Sequence, residues 1–178
     1  VELDGIGPEG RRRLDLLGFR IDEKADLGFA FDGDGDRFFA IDNRGKFVPG
    51  DFLTALLAQH LLTKSPESKV VYDVRSSWAV PDQIKRFDGI PIQEKVGHAF
   101  IKKRMAAENA IFGGEVTGHY YFKDFYFVDS GILPSLILVE MSLYGSPLLV
   151  ERLQKISQWL MPKMGENLPS QLQEVLLI

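Results

Sequence analysis

The sequence predicts a layered α/β fold, and three features carry that reading. From residue 69 onward, short apolar runs alternate with longer stretches of helical character, the pattern of strands covered by helices. Before that, two aromatic-rich apolar runs, 27–31 and 38–41, bracket an acidic, glycine-rich turn, as two strands joined by a tight loop would. Between these regions lies Thr63-Lys64-Ser65-Pro66-Glu67-Ser68, polar and containing proline, which reads as a domain boundary. The expected organisation is therefore a first unit over residues 1–63, an α/β unit over 64–162, and a tail or linker over 163–178. A hydrophobic fraction of 45% with 13 Phe in 178 residues supports a real core.

In chain order, Gly5, Gly7, Pro8 and Gly10 make the entry loop-like, and Leu14, Leu17 and Phe19 give 11–19 a weak helical pattern. Residues 27–48 read as strand, loop, strand, turn, strand, with Asp42-Asn43-Arg44-Gly45 as the turn. Pro49-Gly50-Asp51 opens a helix with Asp51 as N-cap and with Leu53, Leu56, Leu57 and Leu61 on one face. His60 in that helix reads as a flank or solvent residue rather than a ligand. Strands are expected at 69–74, 91–95 and 110–114, with strand material at 120–127. Helices are expected at 80–87, 99–108 and 132–143. Ser146-Pro147 resembles a cap followed by first-turn proline, starting a last helix that runs toward Trp159 before Met161-Pro162 breaks the pattern.

Composition excludes several function classes. Acids outnumber bases, 25 to 21, and the net charge of −4 argues against nucleic-acid binding. The compact basic run Arg11-Arg12-Arg13 reads as a solvated face. Without cysteine there is no disulfide framework and no thiolate site, which fits a cytoplasmic protein. Apolar stretches fall short of a membrane span, the opening Val1-Glu2-Leu3-Asp4 is no signal peptide, and a first residue other than Met suggests a processed or truncated start.

The acidic turn Asp32-Gly33-Asp34-Gly35-Asp36-Arg37 carries the most chemistry. Three carboxylates this close repel one another unless a positive charge compensates them, and hard oxygen ligands select Mg²⁺ or Ca²⁺. On a flat strand, alternate side chains stand roughly 6–7 Å apart, too far to share an ion, so the segment must curl. A calcium-binding EF-hand loop would want Gly and Glu where Arg37 and Asn43 stand, with helices rather than strands as flanks. Arg37 has two readings: a local ion pair that relieves the acids, or a planar fork for a phosphate.

Arg75, His98 and Glu115 to His119 each follow an expected strand, so one rim of the sheet could present them together. Glu115 and Thr117 suit acceptance and donation toward neighbouring sugar hydroxyls, or else form a solvated polar turn. His119 is either a surface donor or a proton-transfer group.

Asp-Gly-Asp-Gly-Asp-Arg between apolar strands resembles the metal loop of the α-D-phosphohexomutases, the family of phosphomannomutase and phosphoglucomutase. Gly114-Glu115-Val116-Thr117-Gly118-His119 resembles the family's sugar-binding loop, usually Gly-Glu-Met-Ser-Gly-His. Asp73-Val74-Arg75-Ser76-Ser77 and Lys95-Val96-Gly97-His98-Ala99-Phe100-Ile101-Lys102 also look like family segments, in the family's order. Arg75 replaces a frequent Lys, and Thr117 keeps the hydroxyl of the usual Ser.

The resemblance implies two consecutive phosphohexomutase-type domains with mixed sheets, the first incomplete. It also implies interconversion of hexose 1-phosphate and 6-phosphate through a phosphoserine and a bisphosphate intermediate, with Mg²⁺ as cofactor and mannose or glucose phosphates as partners. On that reading Asp32, Asp34 and Asp36 hold the metal, Arg37 and His119 are catalytic, and Arg75, His98, Glu115 and Thr117 bind substrate. Asp129-Ser130-Gly131 resembles an acidic family segment and reads as a helix cap. The sequence has no Ser-His-Asn-Pro nucleophile loop and no matching last phosphate-gripping loop, so the isolated chain is expected not to turn over without the missing mutase domains. Two alternatives stand beside it: a non-catalytic Mg²⁺ or sugar-phosphate binding module or truncated paralogue, and a haloacid-dehalogenase-like phosphatase built on Asp-x-Asp.

Overall fold

The computed structural model describes residues 27–42 and 45–143. The expected helix at 11–19, the last helix from Ser146, the tail at 163–178 and the middle of the turn at 42–45 lie outside the described residues.

Three short strands, β1 (Gly28–Phe31), β2 (Phe38–Ile41) and β3 (Phe47–Val48), form an antiparallel sheet in which Phe31 sits opposite Phe38. The register places both ends of the acidic turn at the mouth of one hairpin. Helix α1 (Gly50–Lys64) follows. Strands β4 (Lys69–Asp73), β5 (Ile90–Glu94), β6 (Phe112–Gly114), β7 (Tyr120–Phe122) and β8 (Val128–Asp129) form a second sheet in the order β5-β4-β6-β7-β8. The first three are parallel and the last two antiparallel, so the sheet is mixed. Helices α2 (Ala79–Arg86) and α3 (His98–Glu108) supply the crossovers a parallel pair requires, and α4 (Ile132–Leu143) ends the described chain.

Strand periodicity assigns the two faces. Val70 and Tyr72 of β4, Phe112 of β6, and Tyr120 and Phe122 of β7 join one buried cluster with Phe52 and Leu56 of α1, Ile84 of α2 and Leu138 of α4. The alternate residues Val71 and Tyr121 join a separate cluster with Ile101 and Met105 of α3. The larger cluster also takes in Phe38, Ala40 and Val48, so it runs across the polar segment at 63–68, whose first two residues end α1 and whose last four form a surface turn before β4.

Helix α1 is enclosed from Gly50 to Ala58 rather than on one face, because α2, β6 and α4 all pack on it. Its N-cap is Pro49, not the expected Asp51. The helix begins two residues early, and Asp51 in the first turn instead accepts hydrogen bonds from the N–H groups of Phe52 (3.0 Å) and Ser77 (3.2 Å). Gly50 abuts the Glu115 loop so closely that a Cβ there would lie 2.5 Å from the Val116 carbonyl oxygen.

The strand expected across 120–127 is interrupted. A 3-10 turn at Lys123–Phe125 and two left-handed residues, Tyr126 (φ 55) and Phe127 (φ 59), reverse the chain before β8. Ser130 accepts a hydrogen bond from the Leu133 N–H at 3.2 Å, so the expected cap at 129–131 is made by Ser130. His60 is mostly enclosed and stands 3.4 Å from Glu140 of α4, a structural contact rather than a solvent position. Among the described residues, no helix is long and apolar enough to cross a membrane.

Candidate active site

The acidic loop curls as its glycines suggest. Gly35 takes a positive φ of 75°, and its N–H donates to the Asp32 carbonyl at 3.3 Å. One carboxylate oxygen from each of Asp32, Asp34 and Asp36 then lies within 4.8 Å of the others. Gly131 closes the loop from outside. Its N–H donates to the Gly35 carbonyl, and a Cβ at that position would meet the same oxygen at 2.6 Å.

Arg37 shows the local ion pair: its Nε donates to Asp32 Oδ2 at 2.6 Å and its backbone N–H to Oδ1 at 3.1 Å. The guanidinium remains 45% exposed, so the pair leaves donors facing outward. Burial pushes the Asp32 carboxyl up, but the hydrogen bonds and charge of Arg37 outweigh burial and hold it at about 2. Asp36 moves the other way. Burial raises it, His119 opposes, and repulsion from Asp32, Asp34 and Asp129 adds to the rise.

The sign for Asp32 follows from linkage. A carboxyl lower in the folded than in the unfolded chain stabilises the fold above pH ~4, and that contribution fades as pH falls toward 2. The stability difference between the native chain and Asp32→Asn is therefore expected to be full above pH ~5 and to shrink between pH ~4 and ~2. Thermal unfolding of both across that window checks this; a difference that grows on acidification contradicts it.

The second half of the site meets the first through the main chain. Arg37 and His119 form an antiparallel bridge, and the Phe38 N–H donates to the Gly118 carbonyl at 3.0 Å. Gly118 takes φ +90° and lies against the Phe39 ring, where a Cβ would sit 2.8 Å from the ring edge. The His119 imidazole Nε2 stands 3.7 Å from Asp36 Oδ2, and its Nδ1 lies 3.3 Å from Thr117 Oγ1. The expected metal and sugar loops are thus one connected surface. Asp36, His119 and Asp129 also converge within 4.8 Å, which brings in a carboxylate from β8.

Glu115 is 3% exposed. Its Oε1 accepts from the Tyr121 hydroxyl, and its Oε2 faces the Gly97 N–H at 3.4 Å and the Arg75 guanidinium at 3.7 Å. Arg75 is anchored by Asp73, a fully buried carboxylate at the end of β4. Asp73 accepts from the Arg75 Nη2 at 2.9 Å and from the Val116 N–H at 2.9 Å. His98 is exposed at the first residue of α3, directly after the Gly97 that touches Glu115. The structure therefore joins Asp32, Asp34, Asp36, Arg37, Thr117 and His119 in one group and Arg75 with Glu115 in a second, the loop at 115–119 linking them. Asp73, Tyr121, Lys102 and Asp129 received no site role from the sequence. The position of Asp73 at the carboxyl end of a parallel strand was the signal for the first; the others depend on pairings across the sheet.

This is the site of a layered α/β protein whose acidic hairpin loop and carboxylate-bearing sheet rim face one another. A family model described as phosphoglucomutase/phosphomannomutase, alpha/beta/alpha domain III, matches residues 49–163. The phosphomannomutase of Vibrio cholerae serotype O1 is 41% identical over 172 residues, covering 93% of this chain and 37% of that protein. A phosphoglucomutase/phosphomannomutase family protein from Burkholderia thailandensis superposes with a TM-score of 0.72 at 29% identity, covering 78% of this chain and 31% of that one. An Aspergillus fumigatus N-acetylphosphoglucosamine mutase, solved with GlcNAc-6P and magnesium, shares the fold at a TM-score of 0.56 and 17% identity, covering 72% and 32%. The chain belongs to the phosphoglucomutase/phosphomannomutase family. It spans about a third of the length of the relatives it matches, 37% for the Vibrio protein.

Proposed function

We propose that this chain is the metal-holding and sugar-gripping part of an enzyme that interconverts hexose 1-phosphate and hexose 6-phosphate. The observation that carries the reading is the Arg37–His119 bridge, which sets the acidic loop beside the Glu115 loop. A hard divalent cation suits the first of these. Three carboxylates converge, and the enclosed Asp36 Oδ1 has no hydrogen-bond donor among the described residues.

Bound there, Mg²⁺ supplies Lewis-acid neutralisation of a phosphoryl group. Asp32, Asp34 and Asp36 are its proposed ligands. The exposed edge of the Arg37 guanidinium offers further N–H donors to phosphate oxygens, and His119 holds or releases a proton at Nε2. Glu115 Oε2 accepts from a sugar hydroxyl and Thr117 Oγ1 exchanges a hydrogen bond with its neighbour, while Arg75 and His98 fix the other end of the substrate. Support comes from the family membership and from the Aspergillus mutase, which shares this fold and was solved with GlcNAc-6P and magnesium. With no Ser-His-Asn-Pro loop in the sequence, the phosphoryl donor must come from elsewhere in a complete mutase, and this chain alone binds without turnover.

Calorimetry tests both halves. Mg²⁺ is expected to bind the native chain and to bind Asp36→Asn at least ten-fold more weakly, and mannose or glucose 6-phosphate is expected to bind more tightly with Mg²⁺ than without. Absence of Mg²⁺ binding overturns the metal assignment; clear hexose-phosphate isomerisation by this chain overturns the claim that it cannot turn over.

A further inference from the structure

We infer that Tyr121 is a positioning residue of the sugar site: its hydroxyl fixes the Glu115 carboxylate and its ring supports His119. The inference rests on the sugar-binding reading above and adds a residue to it.

Tyr121 lies in the middle of β7 and is fully buried on the α3 side of the sheet, beside Ile101 and Met105. Phe would fill that apolar layer without carrying a polar atom into it. A buried phenol is tolerated where its hydroxyl has a partner. Here the partner is Glu115, just past the end of the neighbouring β6. The carboxylate accepts only, so the phenol is the donor.

This contact makes the two oxygens of Glu115 unequal. Oε1 is occupied beneath the sheet rim, whereas Oε2 is turned toward the Gly97 N–H and the half-exposed Arg75 guanidinium. A substrate hydroxyl approaching from the rim meets an acceptor whose direction is already set, which spares the ordering cost at binding. Burial and the hydrogen bond to Glu115 push the phenol well above its ordinary range, so it stays a donor at any working pH.

The ring does a second job. The His119 imidazole stacks on it, with centroids 6.3 Å apart and planes 21° from parallel. Lys102 Nζ stands 5.5 Å from the ring centroid while pairing with Asp129 at 2.7 Å. One side chain thus underlies both the residue proposed to accept the sugar hydroxyl and the residue proposed to handle the proton.

The test uses Tyr121→Phe, which keeps the ring and removes the donor. The native chain and the variant are titrated calorimetrically, with Mg²⁺ present, against mannose 6-phosphate, glucose 6-phosphate and analogues each lacking one ring hydroxyl. The variant is expected to bind the preferred hexose phosphate about ten-fold more weakly. That penalty is expected to vanish for the analogue lacking the hydroxyl that Glu115 accepts. A structural defect would lower affinity for every analogue alike, and that outcome, or unchanged affinity, overturns the inference. If Tyr121→Phe does not fold, the native chain is labelled with 3-fluorotyrosine and the Tyr121 resonance is followed: a shift on binding the preferred hexose phosphate that is absent with one hydroxyl-lacking analogue is expected, and the same response to every ligand, or none, overturns the role. Failure of the native chain to bind any hexose phosphate is read before any variant and overturns the sugar-binding reading and this inference together.

Discussion

Phe38→Ala is expected to cost about 3–5 kcal/mol of stability, the range for truncating a fully enclosed aromatic ring. Phe38 is 0% exposed, and its ring meets Phe29 edge-on at 5.2 Å, Phe31 at 5.6 Å and Tyr120 at 6.3 Å. It draws on both sheets, so the cavity left by alanine could not be closed by movement of one neighbour. It also directly follows Arg37, and its N–H is the donor to the Gly118 carbonyl. Chemical denaturation should show a lower midpoint with an unchanged slope, and the proposed Mg²⁺ binding should weaken in parallel. A loss below about 1 kcal/mol would mean that the small sheet does not share the core cooperatively.

Asp73→Ala is expected to cost about 2–4 kcal/mol and to release the Arg75 side chain. The carboxylate is fully buried and accepts from two backbone N–H groups, Arg75 at 2.7 Å and Val116 at 2.9 Å. An unpaired buried N–H costs about 1–3 kcal/mol, and alanine offers neither of them an acceptor. The guanidinium, 41% exposed, can turn to water and so adds little to the loss. Thermal unfolding measures the total, and faster hydrogen exchange at the Val116 amide locates it. Unchanged exchange there would show that water or a neighbouring carbonyl replaces the carboxylate.

Local pattern made much of this architecture legible. The alternation of Val70, Val71 and Tyr72 between two apolar layers is what a strand buried on both faces requires, and the glycines at 33 and 35 announced a curled loop between two strands. Reading was weakest where tertiary contacts override local preference. Asp51 has the chemistry of an N-cap, yet its second oxygen is claimed by Ser77 from a distant turn. Residues 120–127 have the aromatic content of one strand, but Tyr126 and Phe127 adopt left-handed conformations that aromatic residues seldom favour. Glu115 was expected as a sugar-type acceptor from its loop, whereas the phenol that holds its carboxylate became visible only once β6 and β7 were paired.

The bridge between Arg37 and His119 is made by backbone, with Phe38 and Gly118 extending it. Side-chain replacement therefore leaves the span between the acidic hairpin and the carboxylate rim nearly constant, much as a ruler keeps its length when its markings are repainted. On the proposed sugar-binding reading, selectivity should then be shifted by exchanging side chains at Val116 and Thr117. Lengthening either loop would unstitch both halves at once.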